Sequence, residues 1–211
     1  MLQKKIIFKS GPLKLEGRLL LPPAASGTVP GVVFCHPHPL YGGNMHNNVT
    51  LAVGRALAAR GMAVLLFNFR GVGLSEGIYD DGRGEIDDAR AAISFLAGCG
   101  EIDRQRLGLG GYSFGATVAL AAAMRDEAVK AVAAVSPPVL PHLSRPIPRL
   151  VICGTKDTLV PVSGILNEKE RIAGDGSGLV EVVEGADHFW SGYEEKLAAL
   201  VVAFYGRLFL N

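Results

Sequence analysis

The chain has 211 residues, 49% of them hydrophobic and 19% charged, with a formal net charge of +1. That size and balance predict one soluble globular domain over residues 1–211 and exclude a disordered chain. A nucleic-acid binder would carry a basic excess, so that class is set aside.

Residues 5–9 and 14–21 read as strands joined across Ser10-Gly11-Pro12, an antiparallel pair. Residues 31–35 form a buried strand, and 47–60 a helix ended by Gly61. A second buried strand covers 62–67 and a second helix 85–96, with Asp87 and Asp88 in its first turn where the dipole favours them. Then come strand 106–110, helix 116–125, strands 130–135 and 150–153, helix 163–172, strand 179–183 and helix 193–208. The strands are continuously apolar and alternate with helices, which predicts a mostly parallel sheet covered on both faces. Residues 136–148 are proline-broken and too short for a helical lid. The opening residues lack the apolar stretch of a signal peptide, and the apolar run at 197–205 is too short to span a bilayer. The expectation is a cytoplasmic protein with no membrane partner. The apolar tail Leu208-Phe209-Leu210 is a candidate contact surface, and the chain is expected to be a monomer or homodimer.

Cys35, Cys99 and Cys153 show neither disulfide nor zinc spacing, and Cys35 and Cys153 fall in apolar runs as small buried hydrophobes. His36, His38 and His46 find no nearby acid or thiol to complete a metal set, so no metal is expected. His36 is read as a loop-holding residue, and Asn44, Asn47 and Asn48 as loop and cap residues. Neither Gly-rich stretch completes a nucleotide motif. The acidic stretch 76–88 reads as a solvated loop and helix start.

In open sheets of this kind, ligands bind beyond the carboxyl ends of the strands. Gly111-Tyr112-Ser113-Phe114-Gly115 matches G-x-S-x-G there, between a strand and a helix. Gly73-Leu74-Ser75-Glu76-Gly77 matches too, but a loop follows it, so Ser113 is the preferred nucleophile. His188 lies between the last strand and last helix, where a general base can reach a serine. Asp157 follows the preceding strand, and Asp187 is a weaker alternative acid because adjacent residues usually point apart. The order Ser113, Asp157, His188 is that of one hydrolase architecture.

These residues, with Cys35-His36-Pro37-His38-Pro39-Leu40-Tyr41-Gly42-Gly43, Asn68-Phe69-Arg70-Gly71 and Asp187-His188-Phe189, resemble the α/β-hydrolase superfamily, and among it small lidless bacterial carboxylesterases. The resemblance implies an oxyanion hole from the backbone N–H of Phe114 and one from the loop after Cys35. Pro37 and Pro39 have no N–H, so His38 is the expected second donor, with Leu40 and Tyr41 as fallbacks. Sequence proximity suggests Tyr41, Phe114, Leu159 and Trp190 as pocket walls. The reading is a serine hydrolase acting on a small-molecule ester or thioester, with short-acyl esters preferred, no cofactor, and activity rising as the histidine becomes neutral. Its rivals are an acyl thioesterase, an aminopeptidase-like amide hydrolase and a non-catalytic binding module.

Overall fold

The computed structural model describes residues 2–23, 27–174 and 176–210. Strands β1 (Leu2–Ser10) and β2 (Leu13–Leu21) form an antiparallel hairpin that turns at Gly11, with φ +56°. The remaining strands are β3 (Val29–Cys35), β4 (Ala63–Phe67), β5 (Ile102–Tyr112), β6 (Ala131–Val135), β7 (Arg149–Gly154) and β8 (Gly178–Val183). They make an eight-stranded sheet in the order β1-β2-β4-β3-β5-β6-β7-β8. β2 meets β4 antiparallel, and every pair from β4–β3 to β7–β8 is parallel.

Strands β3, β4, β6 and β7 are buried along their whole length, which is why they read as unbroken apolar runs. The side chains alternate between two cores. Val32, Phe34, Val64 and Leu66 meet α1 (Asn48–Ala59) and α6 (Glu194–Phe209). Val33, Cys35, Leu65 and Phe67 meet α2 (Arg83–Gly98) and α3 (Phe114–Ala123). Asn47 caps α1 as expected, accepting from the N–H groups of Val49 and Thr50.

Three local expectations are corrected. The helix expected over 163–172 is two short ones, α4 (Val162–Asn167) and α5 (Lys169–Ala173), broken at Glu168. Gly164 and Asn167 are poor helix formers, so little holds one continuous helix. β5 begins at Ile102 rather than Arg106, because Val29 of β3 pairs with Ile102 across an irregularity. The acidic stretch is not wholly solvated: Glu85 and Asp88 are fully buried. Asp88 takes Arg70 in a two-pronged pair at 2.8 and 3.0 Å, and Glu85 accepts from the N–H groups of Asp80 and Gly82 at 2.9 and 2.8 Å. Together they tie the long loop after β4 to the start of α2.

Residues 136–148 contain no helix, so they build no helical lid over the carboxyl ends of the strands. Among the described residues no helix is long and apolar enough to cross a membrane. Phe209 of the expected contact tail packs into the core, its ring 5.7 Å from that of Tyr205.

Candidate active site

Ser113 stands at the junction of β5 and α3 with φ 54° and ψ −124°, a backbone region that costs a non-glycine residue about 1–3 kcal/mol. Its neighbours leave no room for relaxation. A Cβ on Gly111 would lie 2.2 Å from the Gly115 carbonyl oxygen, and one on Gly115 would lie 2.3 Å from that of His36. The glycines of the motif therefore let strand, helix and the loop after β3 meet at one point. The strained turn lifts the serine hydroxyl out of the sheet toward the loop after β8.

There His188 Nε2 lies 3.0 Å from Ser113 Oγ, and His188 Nδ1 lies 2.8 Å from Asp157 Oδ2. All three residues are at least nine-tenths buried. The Nδ1 proton faces the carboxylate, so Nε2 is the nitrogen free to accept from the serine. The other carboxylate oxygen, Oδ1, accepts from Leu159 N–H at 3.0 Å and Val160 N–H at 2.7 Å. Burial alone would raise the Asp157 pKa, but the bonds from His188 and the Val160 amide outweigh it and hold the carboxyl below its ordinary value.

The loops that carry the pair are joined to each other. Lys156 N–H donates to the Ala186 carbonyl at 2.9 Å, and Gly185 N–H donates to Thr155 Oγ1 at 2.9 Å. Tyr112, next to the serine, donates its hydroxyl to the His188 carbonyl at 2.6 Å. Asp187 points elsewhere, taking the Trp190 N–H at 2.9 Å.

On the opposite side lies the loop after β3. His36 is buried and bonded at both nitrogens: Nδ1 donates to the Pro37 carbonyl at 2.6 Å and Nε2 accepts from Phe69 N–H at 3.1 Å. Burial pushes its pKa down to about 4, so it is neutral. Pro39–Tyr41 form one 3-10 turn. Leu40 N–H donates to His38 Nδ1, Tyr41 and Gly43 N–H donate to the His38 carbonyl, and Gly42 N–H donates to the Pro39 carbonyl. Both fallback donors are thereby occupied. Among the described residues, the His38 N–H is the amide of 37–43 with no protein acceptor. Phe114 opens α3, where a first-turn N–H has no partner inside the helix.

A cavity of about 1000 Å³ opens over Ser113 and His188. His38, Tyr41, Phe114, Leu159, Val139 and Phe189 border it, so three of the four expected wall residues, Tyr41, Phe114 and Leu159, line the cavity. Trp190 is corrected: it is fully buried on the far side of its loop, with Nε1 donating to Ser136 Oγ at 3.3 Å. Its φ of 60° turns the side chain inward, away from the cavity that Phe189 borders. Ser75 is also accounted for, with its hydroxyl donating to the Asn68 carbonyl and accepting from Glu16 N–H. Among the described residues no three His, Cys, Asp or Glu side chains converge on a metal position. Burial raises the pKa of Cys35, and that of Cys153 to about 11, so neither is an ionised thiol.

Tyr79 and Tyr112 escaped the sequence reading. Tyr112 lies inside the serine motif, and the spacing of an x position says nothing about its role. Tyr79 comes from the loop after β4 and reaches His38 across 41 positions, with no local signal to mark it.

The family model described as X-Pro dipeptidyl-peptidase (S15 family) matches residues 10–142. An uncharacterised protein of Rickettsia prowazekii is 34% identical over 207 residues, covering 92% of this chain and 86% of its own. Two solved structures superpose over nearly the whole chain. An α/β serine hydrolase homologue from Coxiella burnetii has a TM-score of 0.80 at 31% identity, covering 96% of this chain and 97% of its own. A lidless α/β serine hydrolase from Xanthomonas campestris has a TM-score of 0.86 at 29% identity, covering 99% and 96%. With the eight-stranded sheet, the serine on its strand-to-helix turn and these matches together, the chain belongs to the S15 family of the α/β serine hydrolases.

Proposed function

We propose that this protein hydrolyses small-molecule carboxylic esters, with short-acyl esters among them, through Ser113, His188 and Asp157. The observation that carries the reading is the unbroken hydrogen-bonded chain from Ser113 Oγ through both His188 nitrogens to Asp157, opening on an apolar-walled cavity. The family match ends at residue 142, before the acid and the base, so their part in the reading rests on this geometry.

In this reading Ser113 Oγ attacks the acyl carbon while its proton passes to His188 Nε2. Asp157 holds the imidazole in the right tautomer and stabilises its charged form. The tetrahedral oxyanion takes hydrogen bonds from the backbone N–H groups of His38 and Phe114. Phe114 N–H adds the positive end of α3. His188 then protonates the leaving alkoxide, and in the second half it takes a proton from the water that cleaves the acyl-enzyme.

Amide cleavage is the second reading, favoured by the description of the matching family. Asp81, at the cavity rim, would be the partner for a substrate's amino group. The two are separated by comparing p-nitrophenyl acetate with an Ala-Pro p-nitroanilide. The ester reading expects kcat/KM to favour the ester by more than the intrinsic difference in reactivity, and the reverse order would replace it with the peptidase reading. Labelling with a fluorophosphonate, followed by peptide mapping, tests both against a binding module. Modification at Ser113 is expected, and an unlabelled protein at pH 8 would sink the hydrolase reading.

A further inference from the structure

The His38 imidazole sits at the centre of the loop that offers the second oxyanion donor. A backbone amide can only donate, so the Leu40 N–H, 3.2 Å from Nδ1, requires a bare lone pair there. The neutral ring therefore carries its proton on Nε2, which is 3.2 Å from the Tyr79 hydroxyl and donates to it. Both ring nitrogens are thus engaged, one within the loop and one with a distant element. The same ring lies 4.9 Å from that of Phe114, whose amide is the other proposed donor, and Tyr79 lies 5.8 Å from Phe114. Tyr41 closes the cluster at 4.7 Å from His38.

His36 holds the peptide unit of the His38 amide from below through the Pro37 carbonyl, and the Tyr41 and Gly43 N–H groups hold the His38 carbonyl, so the His38 ring adds the tie to the turn at Leu40 and to Tyr79. The loop's 3-10 turn is only three residues long, with the poorer hydrogen-bond geometry of that conformation. Leu40 and Tyr41 are 68% and 87% exposed, so burial does not anchor the tip.

We propose that the His38 side chain and Tyr79 are a positioning pair, which fixes the direction of the His38 amide and its spacing from the Phe114 amide. The inference rests on the serine-hydrolase reading above and extends it to side chains that need not touch substrate. His38 acts through the cap on Leu40 N–H, and Tyr79 acts by holding the imidazole in the rotamer that makes that cap.

The test compares wild type with His38→Phe, His38→Asn and Tyr79→Phe. Three quantities are read: kcat and KM on p-nitrophenyl acetate, the rate of fluorophosphonate labelling at Ser113, and thermal stability. His38→Phe keeps a ring but loses the cap, and is expected to lower kcat and the labelling rate about 10²-fold, the scale of one lost oxyanion donor. KM should stay within about twofold, because the interaction is made in the transition state. Asn is a good N-cap, so His38→Asn should recover about tenfold over His38→Phe. Tyr79→Phe should lose a few-fold in kcat with the melting temperature unchanged. A His38→Phe enzyme as fast as wild type overturns the inference alone, as does a His38→Asn enzyme no better than His38→Phe. If His38→Phe does not fold, Tyr79→Phe decides, and an unchanged kcat overturns the pairing. Wild-type protein that neither labels at Ser113 nor turns over the ester overturns the hydrolase reading, and this inference with it.

Discussion

Asp157 and His188 sit on the loops after β7 and β8, which are tied to each other by backbone bonds, while the 37–43 loop across the cavity is tied mainly to itself. The first pair is nearly buried, and the Asp157 carboxylate has partners on both oxygens. The second region is exposed at its tip and depends on two imidazoles, one buried beneath it and one capping its turn. The contrast suggests a division of labour. The proton-transfer side is rigid through cross-bracing, so damage there should be chemical. The oxyanion side is rigid through a few local bonds, so damage there should be geometric.

The largest expected effect comes from the braced side. Asp157→Asn keeps the shape but favours the wrong imidazole tautomer, and kcat for p-nitrophenyl acetate should fall about 10⁴-fold with KM little changed. A loss under about tenfold would move the acid role away from Asp157. Two alanine substitutions then compare the regions directly. A Cβ on Gly43 would lie 2.1 Å from the Pro37 carbonyl oxygen, and one on Gly154 would lie 2.2 Å from that of Ala186. Both variants should lose about 10²-fold in kcat, the order expected when a reacting geometry moves by about 1 Å. Only Gly154→Ala, at the end of a fully buried strand, should also lose about 1–3 kcal/mol in urea unfolding. Equal stability losses would erase the proposed difference.

A smaller effect separates His36 from the catalytic groups. Its pKa falls from 6.5 to about 4 on folding, so the unfolded chain binds the proton more readily between those values. Stability contributed by neutral His36 is therefore present above pH 6.5 and is lost as pH falls toward 4. This amounts to about 3 kcal/mol at about 1.4 kcal/mol per pH unit. His36→Gln should be less stable than wild type at pH 7 by about 1–2 kcal/mol, yet lose less on acidification, as measured by denaturant unfolding at pH 7 and 4.5. The smallest effect on turnover is expected for Trp190→Phe. That variant removes the bond to Ser136 and some core volume at a cost of about 1–2 kcal/mol, but should keep kcat within about threefold because the side chain does not border the cavity. A large loss of kcat at unchanged stability would return Trp190 to the site.

The sequence was most informative where local chemistry and topology coincide. The unbroken apolar runs of β3, β4, β6 and β7 reflect burial on both faces, and the G-x-S-x-G run reflects a turn with no room for a Cβ. His188 and Asp157 were findable because each follows a strand, at the end of the sheet where sites form. What was hidden depends on direction or on distant partners. Trp190 follows Phe189 in sequence, yet a positive φ sends the two side chains to opposite sides of their loop. Glu85 and Asp88 looked like surface acids because Arg70, which lies 18 positions before Asp88, is brought to them only by the return of the chain after β4. Tyr79 had no pattern of any kind.

The prolines on either side of His38 carry a spectroscopic consequence. With no N–H at 37 or 39, the His38 amide is an isolated signal in a proton–nitrogen correlation spectrum, with no sequential amide neighbour on either side. Lacking a protein acceptor, it should exchange with solvent faster than the amides of Leu40, Tyr41 and Gly43 in the free enzyme. Phosphonylation of Ser113 should shift that resonance and slow its exchange. One peak thereby becomes a built-in reporter of whether an oxygen occupies the space between His38 and Phe114.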